Sequence, residues 1–239
     1  MRPGVLAAGG AATVLAVHAT PLLAGVAPVR RRCLPGLSGA GAGGTVALTF
    51  DDGPDPASTP AFLDALDDLG WKATFFMLGR MVRRAPGVAA AVADAGHEVA
   101  VHGDSHRSHA WRSPRDIILD LRRATATVAE ATGRSPRWFR PPYGALTAAS
   151  LEGARRADLR PVLWTTWGRD WRARATAASV AADVARQLRP GGTVLLHDSD
   201  CTSAPGAWHS ALGSLPALAE LFAAAGVSPC PLGRHQGLG

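Results

Sequence analysis

The stretch TVALTFDDGPD, from Thr45 to Asp55, indicates which class of fold the chain forms. Its first six residues, Thr45–Phe50, are β-branched or apolar at almost every position, as expected for a strand that is buried on both faces. Asp51 and Asp52 follow directly, and the next residues are typical of a turn. Strands buried on both faces are characteristic of parallel sheets, in which catalytic side chains gather at the carboxyl ends of the strands. The stretch therefore predicts an α/β fold with both aspartates at its chemically active edge.

The rest of the chain alternates between short apolar segments and segments with helical periodicity. Besides the first strand, the candidate strands are Ala73–Leu78, Glu98–His102, Trp138–Arg140, Pro161–Trp164 and Thr193–His197. Five apolar stripes with helical spacing are formed by Phe62, Leu66 and Leu69; Val88 and Val92; Ile117, Ile118, Leu121 and Val128; Val180, Val184 and Leu188; and Leu215, Leu218 and Phe222. Ser113 and Pro114 open the third helix as N-cap and first residue. This alternation predicts a parallel sheet, either open or closed into a barrel.

Polar residues end four of the predicted strands. Asp51 and Asp52 end the first, His102 the third, Arg140 the fourth and His197 the last. Because the carboxyl ends of parallel strands share one face of the fold, we expect these side chains to converge on a single site. A phosphatase nucleophile of the Asp-x-Asp type does not fit this site, since its two aspartates are adjacent.

The segment Gly96–His106 contains the pattern expected of a metal site. His102 and His106 lie four positions apart, which brings both imidazoles to one side if the backbone between them coils. Two imidazoles and one carboxylate form a three-ligand set for a divalent metal and leave one position open. His109 can also pair with His106, and His97 is a further candidate, so the spacing alone leaves the choice of histidines open.

Three further motifs follow the histidines. Phe139–Gly144 contains a double proline directly after a strand, which either fixes a cation and a backbone N–H in space or forms an ordinary turn. Trp164–Trp171 places Asp170 beside an indole. His197 ends a buried strand, and the ordinary pKa of histidine, near neutrality, suits acid–base chemistry.

Taken in order, these five motifs resemble those of the polysaccharide deacetylases that share the NodB homology domain, a family of carbohydrate esterases. The resemblance extends from about Thr45 to Val227, and its most specific part is Thr49–Pro54. It implies a distorted (β/α) barrel with fewer than eight units, which is preceded here by an apolar N-terminal segment.

The resemblance also implies a role for each site residue. Asp51 is expected to be the catalytic base and His197 the general acid. The other implied roles are metal binding by Asp52, His102 and His106, orientation of the base by Arg140, oxyanion binding by the backbone N–H of Tyr143, tuning of His197 by Asp170, and lining of the acetyl pocket by Trp171 and Leu195.

The implied reaction is metal-dependent hydrolysis of N-acetyl groups on an amino-sugar polymer of the peptidoglycan or chitin kind, through a water molecule that the metal activates. Zinc is favoured by the ligand types, and cobalt or nickel is also compatible. Two alternatives stay open, because a fold does not fix a function: a catalytically silent carbohydrate-binding protein of the cell envelope, and a deacylase of a small amide.

Three residues depart from the family pattern. Gly103 follows the first metal histidine, where serine or threonine is usual, and Arg107 replaces a proline after the second. Trp167 occupies a position that is often aspartate. These departures bear on substrate fit and metal affinity more than on the type of reaction.

The N-terminal residues differ in composition from the rest. Pro3–Val29 contains no charged residue and is long enough for a membrane anchor or for a signal peptide cleaved near Val17–Ala19. Arg30–Arg32 follow it, and by the positive-inside rule they oppose export, which leaves the orientation open.

We predict a membrane-associated or exported envelope protein, with membrane contact through residues 3–29, rather than a soluble protein. The predicted parts are a signal peptide or anchor (1–32), a flexible Gly-rich linker (33–44), the catalytic domain (45–233) and a tail (234–239).

The composition limits the partners. With 47% hydrophobic and 18% charged residues, the chain is typical of a folded domain. Its net charge of +6 rests on arginine, since Lys72 is the only lysine, but no arginine-rich tract contains interleaved aromatic residues. We therefore expect a monomer that binds an acetylated polysaccharide and no nucleic acid. Cys201 and Cys230 either pair, if the domain is exported, or remain free thiols.

Overall fold

The computed structural model describes residues 19–237, in which eight strands and nine α-helices alternate. The strands are β1 (Thr45–Asp51), β2 (Thr74–Met77), β3 (Glu98–Val101), β4 (Trp138–Phe139), β5 (Arg160–Pro161), β6 (Thr166–Trp167), β7 (Thr193–His197) and β8 (Ser228–Cys230). The helices are α1 (Ala27–Cys33), α2 (Thr59–Asp68), α3 (Gly79–Arg84), α4 (Pro86–Asp94), α5 (Pro114–Thr132), α6 (Ala148–Arg156), α7 (Ala177–Ala185), α8 (Trp208–Ala224) and α9 (Leu232–His235). Short 3₁₀ turns cover Thr20–Gly25, Pro35–Ser38, His109–Trp111 and Pro142–Gly144.

The strands form one curved sheet with parallel pairing. Their order is β5–β4–β3–β2–β1–β7–β6, and β8 pairs with the first residues of β1. The sheet curls into a half-barrel surrounded by helices, and within residues 19–237 its two end strands, β5 and β6, do not pair with each other. This confirms the predicted α/β class and the distorted barrel. The gap between β5 and β6 is called the seam below.

Apolar side chains fill the space between the sheet and the helices. Phe50 of β1 packs between Phe62 of α2 and Phe75 of β2, with ring centroids 5.1 Å apart in both pairs. The predicted helical stripes face this core, and residues at their edges, such as Leu69 and Leu188, are half-buried. Since a fully buried phenylalanine contributes roughly 2–3 kcal/mol, this aromatic group anchors the first strand.

Several elements have no clear periodicity in the sequence. β6 and β8 contain two and three residues, and β8 includes Pro229, which argues against a strand. Helix α6 begins at a capping box formed by Thr147 and Ser150 rather than at an apolar stripe. In contrast, Ser113 caps α5 as predicted, because its hydroxyl accepts a hydrogen bond from the Asp116 N–H at 3.2 Å.

The register of the strands brings the polar strand ends together. Asp51 of β1 is paired in register with His197 of β7. Val101 of β3 is paired with Phe139 of β4, so the next residues, His102 and Arg140, are neighbours. The predicted strand at Trp138–Arg140 lacks its last residue in the structure, and of the predicted strand Pro161–Trp164 only Pro161 lies in β5. Arg140, Leu163 and Trp164 leave the sheet and contribute to the site described below.

Cys201 and Cys230 are both free thiols, so the structure decides for the second of the two alternatives that the sequence left open. Cys230 is paired with Ala47 near the beginning of β1, whereas the Cys201 thiol lies 3.4 Å from the carbonyl of Asp52, just after that strand ends. Five residues of extended strand separate these points by about 16 Å, and a disulfide requires Cα atoms within about 7 Å.

The N-terminal part of the described chain packs on the domain. Gly41 donates its N–H to the carbonyl of Gly191 at 2.9 Å, and Ala42 donates to the carbonyl of His235 at 3.2 Å. Where the sequence predicts a flexible linker in residues 33–44, the structure therefore contains a segment that is held by specific hydrogen bonds. Most of the predicted signal or anchor lies outside the described residues, which begin at residue 19. None of the helices between residues 19 and 237 is long and apolar enough to cross a bilayer.

Candidate active site

Asp52, His102 and His106 form a cluster at the carboxyl end of the sheet. Oδ1 of Asp52 lies 3.5 Å from Nε2 of His102 and 3.5 Å from Nε2 of His106. Two ligand atoms about 2.1 Å from one ion at a tetrahedral angle are about 3.4 Å apart, so this spacing suits a divalent metal. Within the described residues, Oδ1 of Asp52 is also buried without a hydrogen-bond partner. The residues present therefore fit a metal ion.

Both histidines are neutral, and His102 is also oriented by a hydrogen bond. The carbonyl of Arg140 accepts a hydrogen bond from Nδ1 of His102 at 2.8 Å, which leaves Nε2 free to bind a metal. Burial lowers the pKa of His102 to about 3, although the Asp52 carboxylate acts in the opposite direction. Burial also lowers the pKa of His106. Both rings are therefore unprotonated near neutral pH, as metal ligands must be.

Gly103 shapes the loop that connects the two histidines. Its φ of +99° lies in a region that residues with side chains rarely adopt, and a Cβ there would lie 3.1 Å from Oδ2 of Asp120. Serine or threonine, usual at this position in the family, would be strained in this loop. The departure at Gly103 therefore has a conformational reason.

The other two candidate histidines have separate structural roles. Nδ1 of His109 and the hydroxyl of Ser150 lie 3.0 Å apart in a buried hydrogen bond. Nδ1 of His97 accepts a hydrogen bond from the Ala73 N–H at 3.2 Å, at the opposite end of β3 from the cluster. Neither histidine belongs to the cluster of possible metal ligands.

Asp51 adjoins the cluster and is held by a fully buried arginine. One nitrogen of the Arg140 guanidinium lies 2.6 Å from Oδ1 of Asp51 and 2.9 Å from the Thr49 hydroxyl. The other carboxylate oxygen, Oδ2, lies 3.7 Å from Nε2 of His102. Burial raises the pKa of Asp51, and the Arg140 charge opposes this shift. One oxygen of Asp51 is thus fixed, and the other lies near the cluster, where it can accept a proton.

His197 lies at the end of β7 with Asp170 behind it. Oδ1 of Asp170 accepts a hydrogen bond from Nδ1 of His197 at 3.0 Å, and Oδ2 accepts one from its backbone N–H at 2.7 Å. Burial alone would lower the pKa of His197, but the Asp170 carboxylate, together with Asp52 and Asp51, raises it to about 10. The ring is therefore protonated at neutral pH and can act as a general acid.

The turn after β1 is held in an uncommon conformation by the end of β7. Asp52 has a φ of +81°, which is rare for a residue with a side chain. Asp198 holds the turn, since its carboxylate accepts hydrogen bonds from the Gly53 N–H at 3.2 Å and from the Thr59 hydroxyl at 2.5 Å. A Cβ at Gly53 would overlap this carboxylate, so only glycine fits. Backbone strain that is fixed by its surroundings is typical of functional sites.

A cavity of about 420 Å³ opens beside the cluster. Among the predicted site residues, those that line it are Asp51, Asp52, His102, His106, Tyr143, Trp171, Leu195 and His197, while Arg140 and Asp170 lie behind Asp51 and His197. Tyr143 has a φ of +59° and packs its ring against His106, with centroids 4.4 Å apart. Trp167 stacks on Trp171 at 6.0 Å, so the residue that departs from the family pattern adds an aromatic wall. Aromatic walls with a few polar groups suit a sugar ring.

Some residues that line the cavity were not predicted from the sequence. The Thr202 hydroxyl lies 2.5 Å from Oδ2 of Asp52. Gly25 and Arg30 also line the cavity, although the sequence assigns both to the signal or anchor region. No motif or periodicity marks these residues as part of the site, because they are far in sequence from the residues that they contact there.

The known proteins that resemble this chain include deacetylases and esterases that act on carbohydrates. The sequence profile described as polysaccharide deacetylase matches residues 38–162. A chitooligosaccharide deacetylase of Bradyrhizobium sp. (strain ANU 289) is 37% identical over 155 residues, which are 64% of this chain and 70% of that protein. A peptidoglycan-N-acetylglucosamine deacetylase of Bacillus cereus is 37% identical over 159 residues, which are 64% of this chain and 72% of that protein. The solved structure of a family 4 acetyl xylan esterase from Clostridium thermocellum, in complex with a cobalt ion, is similar with a TM-score of 0.72. It is 30% identical, and the match covers 80% of this chain and 89% of that one.

Proposed function

Because the chain belongs to the polysaccharide deacetylase family, we propose that it removes N-acetyl groups from an amino-sugar polymer of the chitin or peptidoglycan kind. The observation that carries the proposal is the position of the Asp52 carboxylate. Its buried oxygen faces two neutral imidazoles, and the same cavity is lined by a carboxylate that can accept a proton, Asp51, and by a protonated imidazole, His197. A base, an acid and a cation site within one cavity are the groups that amide hydrolysis requires.

Asp52, His102 and His106 would hold the metal. A divalent metal at this position supplies a Lewis acid, which polarises the acetyl carbonyl and lowers the pKa of a water molecule. The donor set of one carboxylate and two imidazoles favours zinc, with cobalt or nickel compatible. The similarity to a structure that contains cobalt supports a divalent metal here.

Asp51 would act as the base. Arg140 occupies Oδ1 of this carboxylate, so Oδ2 accepts the proton of the attacking water. The new C–O bond gives a tetrahedral oxyanion, and the backbone N–H of Tyr143 helps to stabilise it from the turn after β4. The Arg140 charge also favours the ionised form of Asp51, because it opposes the rise in pKa that burial causes.

His197 would complete the reaction as the acid. Its Nδ1 is bonded to Asp170, which directs Nε2 towards the cavity. When the C–N bond breaks, Nε2 donates its proton to the departing nitrogen, so the products are acetate and a free amino sugar. Trp171 and Leu195 enclose the methyl of the acetyl group on the apolar side of the cavity.

The proposal includes an envelope location. Polymers of the chitin or peptidoglycan kind lie outside the cytoplasm, so the enzyme must be exported or attached to the membrane. The uncharged stretch Pro3–Val29 supports this location.

The test measures acetate release by the full chain with zinc from N-acetylglucosamine oligomers, peptidoglycan fragments, acetylated xylan and small N-acetyl amides. We expect release from the first two substrates, and loss of release after chelation or in Asp51→Asn. Asp67→Asn is the matched control, because Asp67 is exposed on α2 far from the cavity. Release that survives both chelation and Asp51→Asn would contradict the mechanism. Release from small amides or xylan alone would contradict the substrate class, and glycan binding without any release would contradict an enzyme.

A further inference from the structure

Residues 20–39, called the seam segment here, cross the gap between β5 and β6. The carbonyl of Leu37 accepts a hydrogen bond from the Leu163 N–H at 2.6 Å. The carbonyl of Gly39 accepts one from the hydroxyl of Thr193 at 2.9 Å, so the segment extends from the residues after β5 to β7, the strand that pairs with β6. Ala24 is buried in the main core. Backbone hydrogen bonds and core burial are properties of a part of the domain rather than of a linker.

Arg30 connects the seam segment to the wall of the active site. Its guanidinium donates to the carbonyl of Ala24 at 2.5 Å within the segment and, at 2.9 Å, to the carbonyl of Trp164 in the connection between β5 and β6. Only 4% of Arg30 is exposed. Burying a guanidinium is unfavourable unless it is hydrogen-bonded, and the planar fork of arginine can bind two carbonyls at once. The contact is therefore specific for arginine rather than for any positive charge.

Trp164 lies between Arg30 and a residue of the catalytic centre. Its ring centroid is 5.9 Å from the guanidinium carbon of Arg30 and 5.9 Å from that of Arg140. Arg140 also donates to the carbonyl of Leu163 at 2.9 Å while it holds Asp51. The pair Leu163–Trp164 is thus held by the seam segment on one side and by the arginine of the catalytic base on the other.

The seam segment also lines the cavity directly. Gly25 and Arg30 contribute to the same cavity as Asp51 and His197. We propose that the seam segment is part of the catalytic domain and that Arg30 is a positioning residue, which fixes Trp164 and closes one end of the substrate cleft. The effect on substrate rests on the proposed function, whereas the structural role does not.

This role changes how the arginines that follow the apolar stretch are interpreted. Arg30 is buried in the domain, so it is not available as a membrane-flanking charge. Cleavage near Val17–Ala19 would retain the seam segment. A protein that begins at Gly44, the end of the predicted linker, would lose it together with one wall of the cleft.

The experiment uses the full chain with Arg30→Gln and Arg30→Lys, and Arg32→Gln is the matched control because Arg32 is exposed. We expect Arg30→Gln to raise KM for N-acetylglucosamine oligomers about fivefold and to change kcat less, because the acid and the base keep their own hydrogen bonds. Arg30→Lys should restore little, since an ammonium cannot reproduce the fork. Unchanged KM in Arg30→Gln, or full restoration by lysine, would overturn the role of Arg30.

Hydrogen exchange gives a second readout that does not depend on activity. The Leu163 amide bonds to Leu37 of the seam segment, and the Gly41 amide, two residues after the segment, bonds to Gly191. In the wild type, both amides should exchange as slowly as those of β7. In Arg30→Gln the Leu163 amide should lose protection, while in Arg32→Gln it should keep it. Exchange of both amides at the rate of an unfolded chain in the wild type would overturn the proposal, even if the variants did not fold. A wild type that releases no acetate would contradict the proposed function, and the exchange result would still decide the role of the seam segment.

Discussion

The hydroxyl of Thr202 lies 2.5 Å from Oδ2 of Asp52, while Oδ1 of the same carboxylate faces His102 and His106 at 3.5 Å. Thr202 is 150 residues from Asp52 along the chain and lies outside the residues 38–162 that match the family profile. Its hydroxyl occupies one carboxylate oxygen and leaves the other for a metal. Thr202 therefore supports Asp52 from behind, as outer hydrogen-bond partners commonly support metal ligands.

Thr202→Val removes this hydroxyl with little change in shape. We expect the affinity for zinc to fall about tenfold, because Asp52 loses the partner that fixes its orientation. Thr202→Ser should retain most of the affinity. Competition with a chromophoric chelator measures the dissociation constants, and Thr125→Val is the control, since the Thr125 hydroxyl bonds within α5. Equal zinc affinity in Thr202→Val and the wild type would show that the hydrogen bond does not support the metal site.

Asp170→Asn should change the pH range of the acid. Burial lowers the pKa of His197, and Asp170 is the main group that raises it to about 10. Without that carboxylate the pKa falls, so His197 loses its proton at a lower pH and the alkaline limb of kcat/KM moves to lower pH. We expect kcat to fall about a hundredfold as well. The pH–rate profile and an NMR titration of the His197 ring measure both effects, and an unchanged titration would contradict the role of Asp170.

The strand ends could be predicted from the sequence because their position follows from general topology. Parallel strands place their carboxyl ends on one face, so Asp51, His102, Arg140 and His197 were expected together, and the structure brings them together. The choice of His106 over His109 could not be made from spacing alone. It depends on the loop that Gly103 forms with a φ of +99°, which is a property of the folded backbone.

The residues that the sequence did not reveal act through long-range contacts. Thr202 lies in a loop without periodicity, and its role depends on the turn that gives Asp52 a positive φ. Arg30 lies in an arginine run after an apolar stretch, and this composition is typical of a membrane flank. Its burial follows from the seam between β5 and β6, which exists only once the sheet has formed.

The stability of the protein should fall in mild acid because of His97. Burial, with a contribution from Lys72, lowers the pKa of His97 from 6.5 to about 4. Its Nδ1 accepts a hydrogen bond from Ala73, which requires the unprotonated ring. Between pH 6.5 and 4 the unfolded chain binds a proton at His97 that the folded state excludes. The contribution of the neutral His97 ring to the free energy of unfolding is therefore fully present above pH 6.5 and is lost as the pH falls towards 4. At pH 5 the loss is about 2 kcal/mol.

Urea unfolding at pH 7.5 and pH 5 measures this effect. In His97→Gln the amide oxygen can still accept from the Ala73 N–H but does not titrate, so the difference in unfolding free energy between the two pH values should shrink by about 2 kcal/mol. His209→Gln is the control, because His209 is exposed on α8. The prediction is wrong if the two variants show the same dependence on pH.

Trp111 should bind the parts of a polymer that extend beyond the acetyl pocket. It is 91% exposed on a 3₁₀ turn and lines a shallow groove that shares His106 and Tyr143 with the catalytic cavity. An exposed indole beside a catalytic groove suits stacking against a sugar ring, and the loss of such a contact costs about 1 kcal/mol. Trp111→Ala should therefore lower kcat/KM about fivefold on N-acetylglucosamine hexamers and leave kcat/KM on dimers unchanged, because only the longer substrate reaches the groove.

Leu119→Ala, on the outer face of α5, is the control with a similar exposed apolar side chain. An equal loss on dimers and hexamers would mean that Trp111 acts on the catalytic loop rather than on the polymer.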